Sequence, residues 1–337
     1  MKNVLHTFFQ KKTATLLLFL GLILGANIPT VFAQQSIQLT QYMFQKLTYN
    51  PAHAGNQEGI TVEADFRAQW VGLTGAPLTQ VLGVHLPVPL LKGGMGLQLS
   101  NDLIGPQRQT SIYAIYAFRQ RLGTNRSLSI GLRAGALQQQ IKGAELRSPD
   151  GEYENGFSHN DVLIPLGSET GLTPDFGIGL ELQLQKLTVG LASHSLLEPT
   201  IQYNSNEGMI ETSQKRHFFV TVDYDLALTN TIRLSPSLLV KSDLNNLQTD
   251  ISLLATYDDL LKFGASFRGF SPNTFDALAF IVGVEIGEKW LIAYSYDIPI
   301  SKLQNYSSAS HEIGLQYRLK NILPSKGGKT IYNPRFL

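Results

Sequence analysis

Two serine–histidine neighbours are the first candidates for chemistry. Ser193-His194-Ser195 and Ser310-His311-Glu312 each set a base beside a hydroxyl, the pairing a nucleophilic hydrolase needs. Both triplets lie in stretches that alternate with period two. Consecutive side chains there point to opposite faces of a strand, so neither pair forms a dyad within its own strand. The expectation is a polar residue near a strand end, and no catalytic residue is assigned. Acidic residues gather at Asp150, Glu152, Glu154 and Asp161, with His159 beside Asn160. Asp150-Gly151-Glu152 resembles the opening of a calcium loop, but the bidentate Glu expected near position 12 is missing. A solvated loop without a metal is expected. Gly94-Met95-Gly96 and Gly177-Ile178-Gly179 lack the helix that would receive a phosphate, so they bind no dinucleotide, and no cofactor is expected.

The elements that must position these residues are strands. Between Arg216 and Ala227, Phe218, Val220, Val222, Tyr224 and Leu226 form one face; His217, Phe219, Thr221, Asp223 and Asp225 form the other. Phe176, Ile178, Leu180, Leu182 and Leu184 alternate in the same way with Gly177, Gly179, Glu181, Gln183 and Gln185. One apolar and one polar face is the signature of a half-buried strand. Strands are expected near 60–70, 79–87, 93–102, 107–121, 126–142, 173–185, 187–194, 215–227, 230–242, 246–257, 260–270, 275–286, 288–300 and 310–320. Most are long enough to cross a bilayer at a tilt, which takes roughly 9–11 residues. Connections after even strands are tight, as at Gln185-Lys186 and Gly287-Glu288, whereas 143–172 and 195–214 are long and follow odd strands. That segregation is how outer-membrane barrels are wired. The fold class is therefore all-β: a closed antiparallel transmembrane β-barrel of about 14 strands. An open sheet edge in lipid would leave backbone groups unpaired at several kcal/mol each, so the first strand must meet the last. Glycines facing inward would make room for a plug. Arg67 and Gln69 share one face of the first strand, and Trp70 is expected near the outer interface, as a girdle or binding residue.

The front end reads as a secretion signal over 1–33. Lys2, Lys11 and Lys12 precede an apolar core at Leu16–Leu24, and Val31-Phe32-Ala33 offers small residues for cleavage before Gln34. With those three lysines removed, 24 basic and 26 acidic side chains remain, a near-balance that argues against nucleic acid as a partner. The longest later apolar run, Ala277–Val284, is eight residues, too short for a spanning helix. There are no cysteines, hence neither disulfides nor thiolate chemistry. Four segments follow: the signal at 1–33, a polar, non-alternating segment at 34–59 expected to fill or cap the periplasmic mouth, the barrel at 60–320, and a basic periplasmic tail at 321–337. With the first strand rising from the periplasm, both chain ends and the tight turns are periplasmic and the long loops face outward.

Gln41-Tyr42-Met43-Phe44, Asn50-Pro51-Ala52 and Ala54-Gly55 resemble the N-terminal signature of the PorP/SprF family of type IX secretion membrane proteins. Arg67-x-Gln69-Trp70, Asn101-Asp102-x-x-Gly105-Pro106, Thr173-Pro174-Asp175-Phe176-Gly177, Tyr294-Ser295-Tyr296-Asp297 and Ser310-His311-Glu312-Ile313 extend the likeness across the chain. His53, where an aromatic is more usual, and the terminal Leu337 depart from the pattern. The resemblance implies a non-enzymatic outer-membrane component. Its partners would be a secreted adhesin or other type IX cargo, serving gliding motility, or a periplasmic peptidoglycan-binding lipoprotein. Gln41, Tyr42, Phe44, Asn50, Pro51, Arg67 and Trp70 are the partner-binding candidates. The alternative is an outer-membrane channel or a transporter of small or apolar solutes, since fourteen strands lie between side-chain-filled barrels of 8 and open ones of 16–18.

Overall fold

The computed structural model describes residues 36–154, 158–161, 164–205, 208–271 and 274–319. The expected signal and basic tail lie outside the described residues. Odd strand positions begin with β1 (Ile60–Ala68), and each next strand runs antiparallel: β2 (Leu78–Val88), β3 (Gly93–Ile104), β4 (Gln107–Gly123), β5 (Arg126–Lys142), β6 (Ser168–Leu184) and β7 (Leu187–His194). A hairpin, β8 (Thr200–Ser205) and β9 (Gly208–Ser213), stands apart. The eighth wall position is β10 (His217–Tyr224), continued by β11 (Leu226–Ala227). The wall is completed by β12 (Ile232–Ser242), β13 (Leu247–Tyr257), β14 (Leu261–Ser271), β15 (Thr274–Ile286), β16 (Trp290–Pro299) and β17 (Ser310–Leu319). β1 pairs with β17 from Ile60↔Leu319 to Ala68↔His311, and β10 joins β7 to β12, so the 14 strand positions close on themselves.

Alternation decides which side chain faces what. Leu132 is 55% exposed on the outside, while its neighbour Arg133 on the same strand is buried inside. Leu180 and Ile313 are exposed, and Glu181 and Glu312 are buried. An apolar ring of this extent is stable only against lipid tails. Aromatic pairs sit at its borders: Trp290 against Tyr317 at the end bearing the tight turns, and Tyr294 and Tyr296 around His311 at the other.

Two features differ from the sequence expectation. β5 and β6 pair out to Lys142↔Ser168, beyond the bilayer-length strand expected from Thr173. The stretch 195–214 is not a bare loop. Its β8–β9 hairpin pairs Thr200↔Ser213 and turns Ile201 and Tyr203 inward against Leu137 and Ile141, closing part of the mouth.

A further feature concerns the segment before β1. Residues 36–56 lie inside the barrel as a plug containing one helical turn, α1 (Lys46–Tyr49), and a 3-10 turn at Pro51–His53. Asn50 starts that turn: its side-chain oxygen accepts the Ala52 N–H at 2.9 Å, and Pro51 takes the first position, where no N–H is needed. The plug does more than cap the tight-turn mouth. Gln38 meets Lys241 and Gln248, and Thr40 meets Asp297, all at the long-loop ends of their strands. The chain thus traverses the lumen, and residues 36–41 lie at the end opposite to β1's start. Where the sequence predicts that 34–59 fills or caps the periplasmic mouth, the described residues 36–56 fill the lumen and reach its opposite end.

Candidate functional site

The contact between plug and wall holds most of the buried polar chemistry, in two zones. The first is carved by glycine. A side-chain carbon on Gly131 would overlap the Ala52 and Pro51 backbone, one on Gly179 the Asn50 side chain, and one on Gly94 the Ala54 and Gly55 backbone. The wall therefore fits the plug backbone only because these positions lack a Cβ. Hydrogen bonds fix the fit. Asn50 Nδ2 donates to the Leu180 carbonyl at 2.9 Å, His53 Nδ1 lies 2.9 Å from Glu181, and Arg119 Nη1 donates to the Gly55 carbonyl at 2.6 Å.

The second zone is a buried charge cluster near the long-loop end. Arg67 pairs with Asp297 at 2.6 Å and Glu312 at 2.7 Å. Arg268 pairs with Asp250 at 2.6 Å and Asp297 at 3.1 Å. The plug enters at the centre. Both arginines donate to Thr40 Oγ1, which itself donates to Asp297. The Thr40 and Gln41 backbone N–H groups donate to the two oxygens of Glu312, each at 2.7 Å. Removing one partner from so buried a network costs roughly 3–5 kcal/mol, because it strands the other charge. Tyr42 and Tyr49 complete the join: Tyr42 Oη lies 3.1 Å from Ser237 Oγ, and Tyr49 Oη accepts the Leu39 N–H at 3.1 Å. Both phenols are buried and act as neutral hydrogen-bonding groups.

The partner-binding candidates separate by place. Gln41, Tyr42, Asn50, Pro51 and Arg67 are buried in plug–wall contacts. Phe44 is half-buried and lines an open cavity at the tight-turn end. Trp70 lies just beyond β1, half-buried, its backbone N–H donating to Ser310 Oγ. The glycine reading holds for Gly94 and Gly179, whereas Gly177 gives its space to Arg133. Arg268 and Asp250 escaped the sequence reading, and Asp297 entered it only as part of the Tyr294–Asp297 motif, without a role in a cluster. Each is one polar residue in an alternating strand; Asp250 and Arg268 face each other across the β13–β14 hairpin, and Asp297 joins them from β16.

No dyad forms from the serine–histidine pairs. His311 faces outward, 2.7 Å from Tyr294 Oη, while Glu312 faces the lumen. His194 faces inward with its ring 4.5 Å from that of Phe219. Among the described residues no three acidic or histidine side chains converge as a metal site.

The family model for type IX secretion system membrane proteins PorP/SprF matches residues 31–317. The chain belongs to the PorP/SprF family. Membership and barrel together make it an outer-membrane component of type IX secretion. No curated protein matches the chain. Among solved structures it is similar to the toluene transporter TbuX of Ralstonia pickettii, with TM-score 0.50 and 11% identity over 82% of this chain and 94% of that one. It is also similar to Omp33 of Acinetobacter baumannii, with TM-score 0.45 and 8% identity over 79% of this chain and 100% of that one. At such identity the first likeness bears on the barrel fold alone. PorP/SprF membership is what carries the functional class.

Proposed function

We propose that this PorP/SprF barrel is a non-enzymatic docking component of the type IX machinery rather than a solute channel. The observation that carries the reading is the plug. Residues 36–56 fill the lumen and are held by carved glycines and a buried charge cluster, an arrangement suited to a rigid platform. Such a barrel engages proteins at its two ends. The outer end would meet a secreted adhesin or other type IX cargo. The inner end would meet a periplasmic protein, such as a peptidoglycan-binding lipoprotein, that ties the machinery to the cell wall. Gln41, Tyr42, Asn50, Pro51 and Arg67 serve that role by fixing the plug, and Phe44 and Trp70 by lying nearer to partners.

The test is deletion of the gene with surface display of type IX cargo as the readout, alongside planar-bilayer conductance of the purified barrel. Lost display with a silent bilayer is the expected pair of results. Normal display together with steady single-channel currents would sink the reading and favour the channel.

A further inference from the structure

Beneath the plug, at the tight-turn end, lies a cavity of about 270 Å³. Its lining contradicts the rest of the lumen, where the plug turns polar groups and well-covered apolar ones toward the wall. Here the plug presents Met43 and Phe44, neither fully buried, to open space, and Leu254 continues the apolar floor. Half-covered apolar side chains facing water are stabilised when something apolar covers them.

The rim adds charge. Four basic side chains and two acidic ones line the cavity. Lys46 is matched by Asp223 at 2.8 Å, and Asp225 accepts the Ser235 hydroxyl at 2.9 Å. Arg233 and Lys262 also reach Asp259 and Glu285, which lie outside the lining. Lys186, on the β6–β7 turn, is exposed and has no ion-pair partner among the described residues. The vestibule therefore joins an apolar floor to an excess of positive charge at one edge.

We propose that this vestibule is a docking site for an extended segment of a periplasmic protein that places an apolar side chain on Met43 and Phe44 and a carboxylate at Lys186. The inference rests on the docking reading above and names the chemistry of its inner partner. A neutral or basic segment would leave the Lys186 edge unmatched, and a fully polar one would leave the floor uncovered. Lys186 and the apolar floor line the same cavity, so recognition requires the two features within a few residues of each other in the partner.

The probe is a fluorescein-labelled peptide, acetyl-Gly-Phe-Asp-Asp-Gly-amide, titrated by anisotropy with the mature full-length barrel in lauryldimethylamine-oxide micelles. Two control peptides replace Phe by Ala or both Asp by Lys. Saturable binding is expected, weaker by about tenfold for each control, a step of about 1.4 kcal/mol. Lys186→Glu should invert the charge preference, and Phe44→Ala should abolish the preference for Phe. Heat-modifiable gel mobility establishes that each variant is folded; Lys186 sits on an exposed turn, so that variant keeps the test open if Phe44→Ala misfolds. Equal binding of the three peptides, no saturation, or an unchanged charge preference in Lys186→Glu overturns the proposal. The two readings fail separately: discriminating peptide binding with normal cargo display in the deletion strain removes the secretion role and leaves the site, and the converse removes the site alone.

Discussion

Gly131→Ala adds one methyl group to the barrel interior and tests whether the plug is part of the fold. The new carbon would fall on the backbone of Pro51 and Ala52, atoms that cannot swing aside as a side-chain tip would. The turn they belong to is pinned by Asn50 to Leu180, His53 to Glu181 and Arg119 to Gly55. If the wall yields, the cost is that of overpacking, about 1–3 kcal/mol. If the plug lifts instead, it loses three hydrogen bonds, each worth roughly 1 kcal/mol and more where a charge takes part. Gly283→Ala is the control. Gly283 also faces the lumen, and its nearest neighbours would lie 3.4–3.5 Å from an added carbon, ordinary contact. There the substitution should stabilise by about 0.5–1 kcal/mol, since glycine in a strand is entropically costly. The two variants should thus differ by about 1.5–4 kcal/mol. Urea unfolding in lipid vesicles, followed by the fluorescence of Trp70 and Trp290, measures the difference. Equal midpoints and slopes would refute the claim that the wall is carved to the plug.

Other expectations follow from the same geometry. A lysine at Val222 or Ile178, on the lipid face near mid-strand, should cost roughly 2–4 kcal/mol in the same assay, and far less at the lumen-facing Thr221; equal costs would contradict the register. Arg67→Ala should destabilise by roughly 3–5 kcal/mol, because Glu312 loses its cation while buried; a loss below about 1 kcal/mol would mean the cluster is solvated. Alanine at His194 and at His311 should leave any lipase or protease reading at background, and a hydrolytic activity abolished by either change would overturn the non-enzymatic reading.

Much of the wall was legible in the sequence because a strand writes its two environments into every second residue. Phe176 to Leu184 needs no partner to reveal a lipid face and a lumen face. Turn lengths then gave the parity of the loops, and all the expected strand positions recur. The hairpin over the mouth was less visible. Ile201 and Tyr203 are only two inward residues, and their burial depends on Leu137, more than sixty positions away. The charge cluster was less visible for a related reason: Asp250, Arg268, Asp297 and Glu312 meet through the β13–β17 meander only once its register is set, and Arg67 joins them only when β1 closes on β17.

The direction of the plug was equally hidden, and it leads to the last prediction. A polar segment without alternation fits a lumen in either direction. What decides is the wall: Arg67, Arg268, Asp297 and Glu312 all sit near the long-loop ends of their strands, and they hold Thr40 and Gln41. The chain must then climb from Ile60 at one end to Ser36 at the other. Because the protein has no cysteine, single-cysteine variants report this cleanly. Ser36→Cys, half-buried beside Gln109 and His217 at the long-loop mouth, should react with a membrane-impermeant maleimide added to intact cells. Glu58→Cys, exposed at the tight-turn end, should react only after the outer membrane is permeabilised. Labelling of Glu58→Cys but not Ser36→Cys on intact cells would mean that the barrel sits the other way up. Labelling of neither before permeabilisation and both after it would mean that the outer hairpin, not the plug, closes the surface mouth.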